Sequence, residues 1–200
     1  MVRAGGSNGG RPTVGVLALQ GDFAKHRAAL RALGVESREV RTAAELEGLS
    51  AIIFPGGEST TMTLLLDAGL REPLREFSRD HPVWGTCAGL IMLAKSSDDP
   101  RIRPLGFMDI DVARNGFGRQ VHSFEANLRV ADEIGDPERP LQGVFIRAPR
   151  LRNYGSTVHP LLWLGEEAVC VRQDHFLASS FHPELTDDLR LHRYFLTMSA

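Results

Sequence analysis

Gly85-Thr86-Cys87-Ala88-Gly89, inside the stretch PVWGTCAGLIML (82–93), has the G-x-nucleophile-x-G spacing of a nucleophile elbow. A nucleophile held on a tight strand-to-helix turn favours glycine two positions to either side, because larger side chains there would collide. The following run, AGLIMLAK, reads as a helix, which stands the Cys87 thiol at a helix N-terminus. Free amides and the positive dipole end there favour a thiolate and can lower a cysteine pKa from about 8.5 to about 3.5–7.5. The Ala88 amide then points to where a carbonyl oxygen would sit, as an oxyanion donor. The competing reading is the ordinary fate of cysteine, burial as a small apolar group. Cys170, alternating with valines in AVCVR, reads as core in just that sense.

A base is available downstream. SSFHPELTDD places His182 and Glu184 two residues apart, just after a strand-like run. In extended geometry, positions i and i+2 face the same side, so Glu184 could orient the His182 imidazole toward Cys87. Pro183 between them restricts the backbone and keeps the segment from continuing as helix. A Cys–His–carboxylate set performs acyl transfer: thiolate attack on a carbonyl, departure of a leaving group protonated by His, then thioester hydrolysis. The carboxylate fixes the tautomer and orientation of the base. The remaining histidines, His26, His81, His122, His159, His175 and His192, lack such company and read as surface or packing residues, although His122 lies close to the GFGRQ loop. No Cys/His spacing suggests a zinc site.

The elements that must position these groups alternate along the first half. TVGVLALQ, AIIFPGG and PVWGTC are short apolar runs ended by glycine or proline, the pattern of buried parallel strands. VESREV is a weaker strand. DFAKHRAALRALG reads as a helix with Asp22 as cap and Gly34 as stop, and TAAELEGL, STTMTLLLDAGL and EPLREFSRD are helical. The order β-α-β-α-β-α-β-α predicts an α/β fold: an open, mostly parallel, flavodoxin-like sheet with helices on both faces. From Ile102 to Arg147, MDIDVARN, FEANLRV and GVFIRAP alternate without a long helix, which predicts a small antiparallel portion. EEAVCVRQDHFLASSF reads as two strands joined near Gln173 and Asp174, and TDDLRLHRYFLTM as a closing helix with an acidic first turn. In such a sheet, ligands collect beyond the carboxyl ends of the strands, where LALQGD, IIFPGGEST and VWGTCAG emerge. PGGEST could equally be a tight turn opening a helix, with Glu58 or Ser59 near its cap.

Composition narrows the classes. Two hundred residues suffice for one domain with a substantial core, and 42% apolar with 24% charged residues is typical of a globular chain. A net charge of −2, with the basic residues scattered, argues against a nucleic-acid partner. No apolar run approaches the roughly 20 residues of a membrane-spanning helix. Two cysteines are too few for a disulfide framework, which points to reduced thiols and a cytoplasmic setting. The opening MVRAGGSNGGRP lacks the apolar middle of a signal peptide, so residues 1–12 are expected to be a disordered tail and 13–200 a single domain.

Taken together, GVLALQGDFAKH, PGGESTTM, GTCAGLIMLA, RNGFGRQVHSFEA, GVFIRAP and SFHPELTDD resemble the glutaminase subunits of pyridoxal 5'-phosphate synthase, a family of class I (triad) glutamine amidotransferases. GTCAG with HPE would indicate only the wider class, whereas PGGESTTM and RNGFGRQ narrow it. The resemblance implies hydrolysis of L-glutamine to glutamate and ammonia, without a cofactor. It also implies ammonia transfer to a (β/α)8-barrel synthase subunit within a large hetero-oligomer. By position it makes Cys87 the nucleophile, with His182 and Glu184 completing the triad. Gly57 and Ala88 match oxyanion-hole amides; Gly57, Glu58, Ser59, Arg114, Ile146 and Arg147 match glutamine contacts; Gln20 and Gly21 lie near the active site and the partner contact. Glu58, Arg114 and Arg147 are candidates for the charged ends of an amino acid, and which Arg meets the α-carboxylate stays open. The glycine-rich tail and the Arg150–Pro160 stretch match no motif of the family. Two alternatives remain: a triad glutaminase serving another synthase, such as one of histidine biosynthesis, and a docking module that senses glutamine without hydrolysing it.

Overall fold

A computed structural model of the chain describes residues 12–116 and 123–198. Nearly all of the glycine-rich tail, the FGRQ part of the RNGFGRQ motif and His122 lie outside the described residues.

The first half alternates as its sequence pattern predicts: β1 (Thr13–Leu17), α1 (Phe23–Ala32), β2 (Glu36–Val40), β3 (Ala51–Phe54), α2 (Ser59–Leu65), α3 (Arg71–Phe77), β4 (Val83–Thr86) and α4 (Ala88–Leu93). The second half is mainly strands: β5 (Ala94–Ser97), β6 (Met108–Ala113), β7 (Ser123–Val130), β8 (Leu141–Ile146), β9 (Arg150–Tyr154), β10 (His159–Leu164), β11 (Glu167–Gln173) and β12 (Phe176–Ser179), closed by α5 (Arg190–Thr197). Among the described residues, nine strands pair in the order β2-β1-β3-β4-β12-β11-β10-β7-β8, and β5-β6-β9 form a second sheet. The α/β reading of the sequence holds.

The ladders from β2 across to β12 are parallel. Those from β12 across to β8 are antiparallel. The antiparallel share therefore matches the parallel share in ladders, larger than the small portion expected. Half-buried antiparallel strands carry a weaker apolar signal than doubly covered parallel ones, which is why the pattern understates them. The doubly covered strands show the reason for their continuous apolar runs. On β3, Ile52 and Phe54 join the core beneath α2, α3 and α4, while Ala51 and Ile53 join the opposite core with Leu30 of α1 and Phe195 of α5. The edge strand β2 alternates exposed and half-buried residues instead, hence the weak signal of VESREV.

Three local expectations change. TAAELEGL supplies only a single 3-10 turn, Ala43–Leu46. AGLIMLAK stops as helix at Leu93, because the chain passes directly into β5 and pairs with β6. The acidic pair Asp187–Asp188 precedes α5 rather than forming its first turn, and Asp188 instead binds the Arg190 guanidinium.

Candidate active site

Cys87 sits between β4 and α4 with φ 50°, a left-handed backbone that a non-glycine residue adopts only under constraint. The constraint is visible in its surroundings. Its N–H donates to the Ser179 carbonyl at 2.8 Å, tying the turn to the end of β12. A Cβ on Gly85 would lie 2.5 Å from the Gly89 carbonyl group, and one on Gly89 would lie 2.0 Å from the Phe54 oxygen of β3. Both glycines of the elbow are thus required by backbone packing against backbone, the collision that the spacing implied. Cys87 is 6% exposed, and its Sγ faces the Ile146 carbonyl oxygen at 3.8 Å.

His182 follows β12, and its N–H donates to the Val144 carbonyl of β8 at 2.8 Å. Its Nδ1 lies 2.8 Å from Glu184 Oε1. The pairing is not made by extended backbone, as expected from i, i+2 geometry. His182 caps a 3-10 turn, Pro183–Leu185, and Pro183 takes the first helical position, where its missing N–H costs nothing. With Nδ1 committed to Glu184, Nε2 is left to interact with Cys87. Burial works against the imidazolium, but the Cys87 sulfur and the Glu184 carboxylate outweigh it and push His182 up to about 10. Glu184 is itself held below the usual carboxylate range: burial opposes its ionisation, and the imidazoles of His26 and His182 overcome that.

Cys87 and His182 open onto a cleft of about 220 Å³. Gly21, Gly57, Glu58, Ser59, Ala88, Arg114, Ile146 and Arg147 line it too, so nearly every site residue expected from the sequence is brought together. Gln20 lies just outside, its side chain against Gly57 and its amide donating to the Glu58 carbonyl. A larger cavity of about 560 Å³ opens between β6, β9 and β11, beside Asn115 and Gly116, but it contains neither cysteine nor histidine.

The charged groups of the cleft differ in what they are free to do. Glu58 caps α2, accepting from the Thr60 and Thr61 amides at 3.2 and 2.7 Å, and it also binds Arg114. Burial would raise its pKa, but the hydroxyls and amides of Thr60 and Thr61 hold it down to about 2. Arg114 is shared between Glu58 and Asp99. Arg147 has φ 45°, is exposed to the cleft and has no acidic partner among the described residues.

The model of the SNO glutamine amidotransferase family matches residues 16–200. The chain belongs to this family. Pyridoxal 5'-phosphate synthase subunit PdxT of Thermus thermophilus is 52% identical over 197 residues, covering 95% of this chain and 99% of that protein. The PdxT subunit of Deinococcus radiodurans is 50% identical over 195 residues, 94% and 97% of the two chains. A crystal structure described as a glutamine amidotransferase superposes with a TM-score of 0.87 at 50% identity, over 93% of this chain and 98% of that one. PurLQS from Thermotoga maritima, at 16% identity, shares the fold with a TM-score of 0.69 over 94% and 99% of the chains.

Two features of this SNO-family chain escape sequence reasoning. Gly56 packs directly against the cysteine–histidine pair, since a Cβ there would lie 2.4 Å from His182 Cε1 and 3.2 Å from Cys87 Cβ. The consecutive glycines of PGGEST were the available signal. His26, read as a surface or packing residue, is fully buried on α1 with its Nε2 3.3 Å from Glu184 Oε2. No local motif marks that contact, because 158 positions of chain separate the two.

Proposed function

We propose that this chain is the glutaminase subunit of a pyridoxal 5'-phosphate synthase, hydrolysing L-glutamine to L-glutamate and ammonia through Cys87, His182 and Glu184. The observation that carries the reading is the Glu184–His182 pair at 2.8 Å, with its imidazole against a cysteine on a strained elbow in a cleft. The Cys87 thiolate attacks the carboxamide carbon of glutamine. Oxygen charge develops toward the Gly57 and Ala88 amides, a preorganised electrostatic stabilisation. The protonated His182 gives its Nε2 proton to the departing nitrogen, and ammonia leaves with a thioester on Cys87. His182 then takes a proton from water, whose oxygen attacks the thioester and releases glutamate. Glu184 holds Nδ1–H throughout.

Arg147, unpaired among the described residues, meets the substrate α-carboxylate, while Arg114 stays bound to Glu58 and Asp99 and shapes the glutamine loop. Ser59 and Ile146 line the remaining walls, and Gln20 and Gly21 hold the loop that faces the partner. Residues 13–200 act as one glutamine amidotransferase domain. The partner is a (β/α)8-barrel synthase subunit in a cytoplasmic hetero-oligomer that receives the ammonia. Among the described residues no helix is long and apolar enough to cross a membrane. The test is Cys87→Ala: ammonia release with the synthase subunit should vanish while the two subunits still assemble. Undiminished glutaminase activity in that variant would overturn the mechanism.

A further inference from the structure

We infer that His26 is a positioning residue for this reaction, holding the second oxygen of Glu184 and thereby the orientation of His182. The inference rests on the triad proposed above. Glu184 is almost fully enclosed, and its two oxygens face two different imidazoles: Oε1 meets His182 Nδ1 at 2.8 Å, and Oε2 lies 3.3 Å from His26 Nε2. Among the described residues Oε2 has no hydrogen-bond partner of its own, and the group that faces it is the His26 ring nitrogen at 3.3 Å. His26 also lies 3.2 Å, through the same nitrogen, from Oγ1 of Thr86, the residue before Cys87. One ring on α1 therefore touches the elbow strand and the carboxylate together.

The protons on this ring follow from its neighbours. His26 Nδ1 is 3.2 Å from His192 Nε2 on α5, and both rings are fully buried. Burial, ahead of all other influences, holds both neutral, His192 down to about 3. Each ring then carries one N–H. If His26 were protonated at Nδ1, its Nε2 lone pair would face an anionic oxygen, and His192 would carry a buried N–H at Nδ1, an atom without a partner among the described residues. If His26 is protonated at Nε2, it directs N–H at Thr86 Oγ1 with Glu184 Oε2 3.3 Å from the same nitrogen, and it accepts from His192 Nε2–H. Only a lone pair of His192 is then left unmatched, the cheaper of the two defects. The second arrangement is the one assigned here. Without the His26 N–H facing it, Oε2 would be a buried anion with no polar group to compensate it. The carboxylate would then rotate or take up a proton and release His182.

The test uses the full-length chain with its synthase subunit, following ammonia release across pH. His26→Leu removes the donor. His26→Gln places an amide N–H about where Nε2 lies, and His26→Asn reaches only as far as Nδ1. His26→Leu should lower kcat on the order of tenfold, a part of the roughly 10²–10⁴-fold that positioned acid–base catalysis supplies, with KM unchanged. His26→Gln should recover most of that loss and His26→Asn little of it. The acid limb of kcat should move to higher pH in His26→Leu. The titratable groups facing this ring are Glu184 and His182 beyond β12, His192 on α5 and Asp22 at the start of α1, and of these Glu184 loses the polar N–H edge that faces its anion. In a double-mutant cycle, adding His26→Leu to Glu184→Gln should lower kcat no further. Multiplying losses, or native kcat in His26→Leu beside an impaired Glu184→Gln, would overturn the assignment. Native kcat in Glu184→Gln would instead remove the triad reading on which it rests. Should His26→Leu fail to fold, as read by circular dichroism, the order of His26→Gln and His26→Asn decides, and equal activity of those two overturns the assignment.

Discussion

Replacing Gly85 by alanine asks whether the approach of β4 to α4 is what places the thiol. The new Cβ would stand 2.5 Å from the carbonyl carbon and oxygen of Gly89 and 2.8 Å from the Leu90 nitrogen. All three atoms are backbone, so no side chain can swing aside. Ordinary contact begins near 3.4 Å, so β4 and α4 must separate by roughly 0.6–0.9 Å. Cys87 is the one residue between the two elements, and His182 is anchored elsewhere, to Val144 of β8. The separation therefore falls on the distance between sulfur and imidazole. Overpacking of this kind costs about 1–3 kcal/mol of stability, and a misplacement of about 1 Å costs about 10²-fold in rate. Urea midpoints measure the first and ammonia release at saturating glutamine the second. Gly34→Ala is the control: Gly34 has φ 73° with nothing within 4 Å of a new Cβ, so it should lose about 1 kcal/mol through backbone strain and no kcat. A Gly85→Ala variant with native kcat, whatever its midpoint, would refute the reasoning.

Other perturbations follow from the same geometry. Arg190 is 7% exposed and donates to the carbonyls of Gly135, Asp136, Arg139 and Pro140 as well as to Asp188. Arg190→Ala should cost on the order of 3–5 kcal/mol in urea unfolding, and Arg190→Lys should not restore it, since only a planar fork serves so many acceptors. His182 has its pKa raised from 6.5 to about 10, so its contribution to stability is complete below pH 6.5 and is lost as pH rises through about 10. The stability difference between the native chain and His182→Gln should shrink over that window, and Cys87→Ala should bring the imidazole titration down, as read by NMR. Glu58→Ala removes the cap of α2 and should cost about 1 kcal/mol, a fall of about 2–4 °C in the thermal midpoint.

What was legible in the sequence was local. The elbow spacing, the H-x-E pair and the apolar runs of β1, β3 and β4 each express a constraint within a few residues, set by turn geometry or by a side-chain period of two. Those constraints named Cys87, His182 and Glu184, the parallel half of the sheet and the loops at its carboxyl ends. They misjudged elements whose form depends on distant partners: AGLIMLAK, cut short by pairing of β5 with β6, and the antiparallel strands, whose half-buried faces carry little apolar signal. The state of the charged groups was likewise beyond them. That Glu58 and Asp99 hold Arg114 while Arg147 has no acidic partner among the described residues is decided by where α2, β5 and β8 deliver their ends. So is the meeting of His26 with Glu184. A histidine on an amphipathic helix looks the same from its own neighbours whether it faces an aliphatic core or a carboxylate. Only the packing of α1 against the turn after β12 tells the two apart, because that contact joins parts of the chain too distant for any local pattern to couple.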